Sequence, residues 1–261
     1  MKIRFQAIGR WEAADVQVRC VPENRPRHDE GEKVIEQAWK DAQSRPGLKL
    51  FDGPMCRLER FAAGKTLELD LSPTSYRIFW GTNLNNSRLG REYGAASLAN
   101  AVGLSCAVES GDGFLMLGRR NASVAYYPSR VHPFAGTLEP SEKVDVFAEA
   151  RRELTEELGF GPDDISSFVC TGIIEDVSIG QPELVFSVKS SRTRSQIQSK
   201  LDPTEHDSLI AIEPVPQKVE TSLNDPAMTP VALGTILLWG REHFGPEWFD
   251  AAGHAVNLGE S

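Results

Sequence analysis

Residues Gly136 to Phe160 read GTLEPSEKVDVFAEARRELTEELGF. From Asp145 onward the apolar residues recur at helical spacing: Val146, Ala150, Leu154 and Leu158 form a stripe, with Phe147 beside it. Asp145 suits the N-cap of such a helix and Gly159 its stop, so the spacing predicts a helix over Asp145–Leu158. A helix turns about 100° per residue, which gathers Glu149, Glu153, Glu156 and Glu157 into an arc of about 100°. Like charges on one face repel. They are either a solvated face, partly neutralised by Arg151 and Arg152, or oxygen ligands for a hard cation such as Mg²⁺ or Mn²⁺.

Strands are expected on both sides of that helix. Ala101–Val108 and Phe114–Leu117 flank the turn residues Gly111-Asp112-Gly113. Ser167–Ile174, Leu184–Val188 and Leu209–Ile212 follow, and Thr229–Glu242 carries a closing helical pattern. Towards the amino terminus, strands are expected at Lys2–Ala7, Val16–Val21, Arg57–Phe61 and Thr66–Leu71. In the last of these Leu67, Leu69 and Leu71 alternate with polar residues. A helix is expected through Val34, Ile35, Ala38, Trp39 and Ala42, ending at Pro46-Gly47. Strands interleaved with a few helices predict an α/β (α+β) protein with a mixed sheet and helices on its faces. The expected division is a small α+β domain at 1–90, a main domain at 91–250 and a tail at 251–261.

The chain has 261 residues, 40% hydrophobic and 25% charged, an ordinary globular composition. No apolar run reaches the ~18–20 residues of a membrane helix, and the first residues lack the apolar core of a signal peptide. A cytoplasmic protein without a membrane partner is expected. The net charge of −9 argues against a nucleic acid polymer as partner. Cys20, Cys56, Cys106 and Cys170 are scattered and suggest neither a zinc site nor a disulfide framework.

The acidic helix resembles the Nudix box, Gx5Ex7REUxEExGU, with U a bulky aliphatic residue, allowing Phe160 at the last such position. Arg152 to Phe160 (RELTEELGF) matches the second half, and Gly136 with Glu142 matches the first. Nine residues rather than seven separate Glu142 from Arg152, a two-residue insertion that leaves the helical acids in place and puts the role of Glu142 in doubt. The resemblance implies a Nudix α/β/α sandwich with a mixed sheet and a metal-dependent pyrophosphatase activity. It implies that Glu153, Glu156 and Glu157, with the Gly136 carbonyl, ligate Mg²⁺ or Mn²⁺. It implies that Arg152 orients an acid, and that the general base comes from the box, Glu157 or Glu156 first, or from a later loop, where Glu183 and Glu205 stand.

A narrower resemblance rests on Leu71–Asn83 (LSPTSYRIFWGTN), Leu98–Gly103, Ile173–Val185 and Asp202–Ile212. These look like the UDP-glucose/UDP-galactose pyrophosphatases of the superfamily, which also carry an amino-terminal extension and a lengthened box. The implied reaction splits a UDP-hexose, a small-molecule nucleotide sugar, into UMP and hexose 1-phosphate. Tyr76 is then a candidate for stacking on a base, Arg77 for a phosphate and Asn83 for a uracil edge or ribose. Arg119 and Arg120, at a strand end before the box, are candidates for phosphate contact, and Tyr126 and Tyr127 for lining the pocket. Another nucleoside diphosphate such as ADP-ribose, or a nucleotide-sugar sensor without turnover, are the competing readings; sensors tend to lose box acids, and this chain keeps Glu153, Glu156 and Glu157. Many members of the superfamily dimerise, which leaves a homodimer open.

Overall fold

A computed structural model describes residues 3–45, 50–124 and 126–256. Strand β1 (Ile3–Trp11) is followed by β2 (Val16–Cys20) and helix α1 (Asp29–Gln43). The helix end expected at Pro46-Gly47, and Lys2 of the first expected strand, lie outside the described residues. Strands β3 (Pro54–Ala63) and β4 (Leu67–Ser75) form an antiparallel hairpin across Gly64, and β2 joins β4 in parallel to complete a three-stranded sheet. Leu67, Leu69 and Leu71 of β4 are buried, as their alternation predicts. Then a short helix, α2 (Tyr76–Phe79), widens into the turn Trp80–Leu84 with Phe79 and Trp80 buried, and α3 (Leu89–Tyr93) follows.

The second half supplies β5 (Gly103–Glu109), β6 (Leu115–Arg120), β7 (Val131–His132), β8 (Phe134–Thr137) and helix α4 (Val146–Leu158). After these come β9 (Ile165–Asp176), β10 (Gln181–Ser190), α5 (Arg194–Gln198), β11 (His206–Ile212), α6 (Pro216–Leu223), α7 (Pro230–Phe244) and α8 (Pro246–Ala255). An eight-stranded mixed sheet runs in the order β1-β9-β10-β5-β6-β11, with β7 on β6 and β8 on β5. Its one parallel pairing along that path is β10 with β5.

Side-chain alternation sorts the core to the two faces of this sheet. Leu104, Cys106, Val108, Leu184, Phe186 and Val188 pack with Phe147, Ala150, Leu154 and Leu158 of α4. Leu67, Leu69 and Leu71 of the small sheet share that core. Ala107, Leu115 and Leu117 face the other way, onto Ala232, Ile236 and Trp239 of α7. Val185 and Ile174 meet Val231 and Leu238 there. The result is the helix–sheet–helix sandwich expected from the pattern. No helix among the described residues is long and apolar enough to cross a membrane.

Two boundaries differ from expectation. Residues 1–90 are not a unit apart, because β1 is an edge strand of the large sheet, with Ile3 opposite Asp176 on β9. Ile3 is buried against α7, and Phe5 stacks edge-on against Phe249 of α8 at 5.0 Å, so burial of those two side chains draws β1 away from the small sheet. Residues 251–255, expected as tail, are the end of α8, whose Ala252 closes the α7 side of the core.

Candidate active site

Helix α4 begins as its sequence dictates: the Asp145 side chain accepts from the backbone N–H of Phe147 and Ala148 at 2.9 and 3.0 Å. It ends where Gly159 turns left-handed at φ 63°. With the stripe Val146, Ala150, Leu154 and Leu158 fixed in the core, the acidic face cannot rotate away from the sheet. Glu157 is buried, at 2% exposure, while Glu156 keeps 57% of its side chain in solvent.

Arg152 organises the other acids of that face. Its guanidinium donates to Glu149 at 2.6 Å, to Glu156 at 2.7 Å and to Glu153. The hydrogen bond to Glu149 is the main reason its own pKa rises. Burial pushes the Glu153 carboxyl up to about 8; Arg152 works against this, and Glu157, Glu156 and Glu149 add to it. Gly136, in β8 opposite Leu104, lies against Glu153: a Cβ there would overlap the Glu153 carboxyl group.

A cavity of about 410 Å³ opens above these groups. Gly136, Thr137, Glu139, Glu153 and Glu205 line its acidic end, together with Arg120, His132, Gln181 and Glu183. Tyr126 and, from the amino-terminal part, Phe51, Met55, Tyr76, Phe79 and Leu84 line it with aromatic and apolar surface. The last turn of α4 reaches β11, where the His206 Nε2 stands 3.4 Å from the Glu157 carboxylate. One donor atom each from Glu157, Glu205 and His206 can be chosen so that all lie within 4.8 Å of one another. Burial, with the charge of Arg120, depresses His206 to about 4, so its imidazole is neutral at ordinary pH. His132 is likewise held neutral by burial, and its Nδ1 pairs with the Thr229 hydroxyl at 2.8 Å.

Glu183 is buried on β10 at the cavity wall, in the space that Gly103 leaves; a Cβ on Gly103 would overlap its carboxyl group. Burial, reinforced by the charge of Asp176, pushes Glu183 up from 4.5 to about 8. Between those values the folded protein holds a proton that the unfolded chain has released. Its stabilising contribution is therefore fully present below 4.5 and is lost as pH rises through about 8. In metal-free protein, the stability of the wild type relative to Glu183→Gln should fall by on the order of a few kcal/mol between about pH 5 and pH 8. Urea unfolding across that range checks this, and a difference independent of pH would mean that Glu183 is ionised in the fold.

No family model matches the chain. Curated relatives do. Uridine diphosphate glucose pyrophosphatase NUDT22 of Bos taurus is 28% identical, over 81% of this chain and 86% of its own. The protein of the same name from Homo sapiens is 27% identical, over 85% of this chain and 87% of its own. Among solved structures, DR0079 from Deinococcus radiodurans superposes with a TM-score of 0.42 at 16% identity, covering 55% of this chain and 83% of that one. Over most of its length the chain is thus similar to proteins named as pyrophosphatases.

Along the Gly136–Phe160 segment, the structure brings Arg152 and Gly136 against Glu153, places Glu157 near enough to add to the charge on Glu153, and leaves Glu156 the exposed member, held by Arg152. Arg120 lines the cavity, with its Nε donating to the Tyr126 carbonyl at 2.9 Å. Tyr76 lines it too.

Three residues expected to touch substrate are placed otherwise. Arg119, next to Arg120 on β6, points to the opposite face and donates to the Ser129 carbonyl at 3.2 Å. Arg77 is held by Glu36 at 3.2 Å and Asp52 at 3.4 Å, outside the cavity lining. Asn83 is buried and its amide is fully engaged: it donates to the carbonyls of Ile179 and Gly180 and accepts from Ala99 N–H and the Thr82 hydroxyl. It clamps the Trp80–Leu84 turn to the β9–β10 connection. Tyr127 donates to Asp176 at 2.6 Å rather than lining the cavity, while Tyr126 does line it. His206, His132 and Gln181 carry no local sequence signal; only the folded chain shows them beside the box.

Proposed function

We propose that this Nudix protein hydrolyses the diphosphate of a UDP-hexose, UDP-glucose or UDP-galactose, to UMP and hexose 1-phosphate with the help of Mg²⁺ or Mn²⁺. The observation that carries the reading is one cavity that joins Glu153 and Arg120 to an aromatic and apolar end at Tyr76 and Tyr126. A diphosphate flanked by two uncharged groups matches that division of charge. The activity for which the Bos taurus and Homo sapiens relatives are named supports it.

The donor set fits a hard divalent ion. Glu153 has Glu157, Glu156 and Glu149 around it; burial first, and then the charge of these acids, raise its proton affinity against the pull of Arg152, and a bound cation would offset both. Glu153, Glu157 and the Gly136 carbonyl would hold the ion, with Glu156 as the exposed member of the set. When bound, the ion supplies charge neutralisation at the diphosphate and activation of water near neutral pH.

The protein's own groups do the rest. Arg120 faces the phosphates from the cavity wall. Arg152 fixes the Glu153 carboxylate, so that its orientation is set before substrate arrives. Tyr76 offers its ring to the base. Glu183, keeping its proton near neutral pH, donates a hydrogen bond to a substrate oxygen. Glu157 takes the proton of the attacking water, and the leaving phosphate departs with the P–O bond electrons.

A substrate panel with Mg²⁺ tests the reading. The expected kcat/KM for UDP-glucose exceeds that for ADP-ribose by about 100-fold or more, because a site shaped for one base leaves buried polar groups unpaired with the other. Cleavage of ADP-ribose with UDP-glucose untouched would overturn the substrate assignment.

A further inference from the structure

We propose that the divalent ion of this site takes ligands from outside the glutamate helix: the His206 Nε2 and a Glu205 carboxylate oxygen, together with Glu157. This rests on the metal-dependent reading above and adds to it a nitrogen donor that the box does not contain.

The register of β11 aims the imidazole. His206 pairs with Arg120, but Ser208 pairs with Arg119, so Asp207 is an extra residue in the strand. A bulge of this kind bends a strand and re-aims a side chain. Here it turns His206 into the protein over Gly118, where a Cβ would overlap the imidazole. His206 is 1% exposed, yet neither of its ring nitrogens has a hydrogen-bond partner. Buried polar groups are paired in the great majority of cases, and leaving one unsatisfied is costly. An imidazole built into such a place has a ligand to meet.

The neighbours say which kind. His206 Nε2 faces the Glu157 carboxylate at 3.4 Å, and Glu205, which lines the cavity, brings a third donor within 4.8 Å of both. Two atoms on one ion at ~2.1 Å lie at most ~4.2 Å apart, so small side-chain rotations close the set. The backbone already holds these residues in place. Asp202 N–H donates to the Glu157 carbonyl at 2.8 Å, His206 N–H to the Asp202 carbonyl at 3.1 Å, and Asn121 N–H to the Glu205 carbonyl at 2.8 Å. Strand and helix termini are thereby locked at the point where the donors converge. A nitrogen among oxygen donors shifts preference from Mg²⁺ towards Mn²⁺ and later transition metals.

The test reads the metal, not turnover. Manganese chloride is added at one equivalent to the intact protein and the nuclei around Mn²⁺ are read by pulsed EPR. The expected spectrum carries the ¹⁴N modulation of a coordinated imidazole, and it changes to the ¹⁵N pattern when the histidines are ¹⁵N-labelled. The signal is lost in His206→Gln and kept in His132→Gln, whose side chain also lines the cavity. Outer-shell substitutions weaken metal binding by about 10–100-fold, so losing a direct ligand in His206→Gln or Glu205→Gln should weaken Mn²⁺ binding at least about tenfold. Bound Mn²⁺ without an imidazole signal in the wild type overturns the proposal, whatever the folding of the variants; so does a signal that survives in His206→Gln. Imidazole-bound Mn²⁺ without cleavage of UDP-glucose would leave this assignment standing and defeat the substrate reading. Cleavage without imidazole coupling would do the reverse.

Discussion

Replacing Glu157 by glutamine lowers kcat for UDP-glucose about 10³-fold, the size expected when one group serves both a metal site and a proton transfer. Glu157 is the box acid most enclosed by protein, 2% exposed at the end of α4, and its carboxylate faces His206. Glutamine keeps the volume and one oxygen but loses the charge, so cation binding weakens and proton acceptance is lost. The fold should persist, because Leu154 and Leu158 still anchor the helix in the core. Steady-state rates in Mg²⁺, with circular dichroism as the folding control, decide the matter. A loss smaller than tenfold would remove Glu157 from the reaction.

Arg57→Leu destabilises the protein by about 3–5 kcal/mol, the usual cost of stripping one partner from a buried charge network. Arg57 sits on β3 with only 2% exposure. Its guanidinium donates to Glu59 at 2.9 Å, to the Ala96 carbonyl at 2.8 Å and to the Leu98 carbonyl. Leucine would leave Glu59 with the Ser72 hydroxyl as its remaining side-chain donor and two carbonyls without this partner. The same seam carries backbone bonds from Cys56 N–H to the Leu138 carbonyl at 2.8 Å and from Val102 N–H to the Cys56 carbonyl at 2.9 Å. It thus joins the small sheet to the strands that present Gly136. Urea unfolding checks the number; a change below about 1 kcal/mol would mean that the seam bears little of the stability.

What could be read from sequence was what local chemistry decides. The Asp145 cap, the Gly159 stop and the stripe Val146, Ala150, Leu154, Leu158 fixed the face of α4, and with it the places of Glu153 and Glu157. Leu67, Leu69 and Leu71 revealed β4 in the same way. The partner of β1 was not legible, since Ile3 pairs with Asp176 far along the chain and nothing in a strand's own residues names so distant a neighbour. Nor did the polar residues of the Thr74–Asn83 tract reveal their use. Arg77 and Asn83 have the chemistry of ligand contacts, but Glu36, Asp52 and the Ile179 and Gly180 carbonyls claim it first. His206 enters the site through the one-residue bulge at Asp207, a change of register that leaves no mark on hydrophobic periodicity.

The most direct test of the central claim is the UDP-glucose arm of the substrate panel, followed by ³¹P NMR with Mg²⁺ and then with excess chelator. The prediction is that both diphosphate resonances fall together while UMP and hexose 1-phosphate appear as two monoesters, and that the reaction stops when the ion is removed. Intact UDP-glucose beside cleaved ADP-ribose, or release of UDP and free hexose, would contradict it.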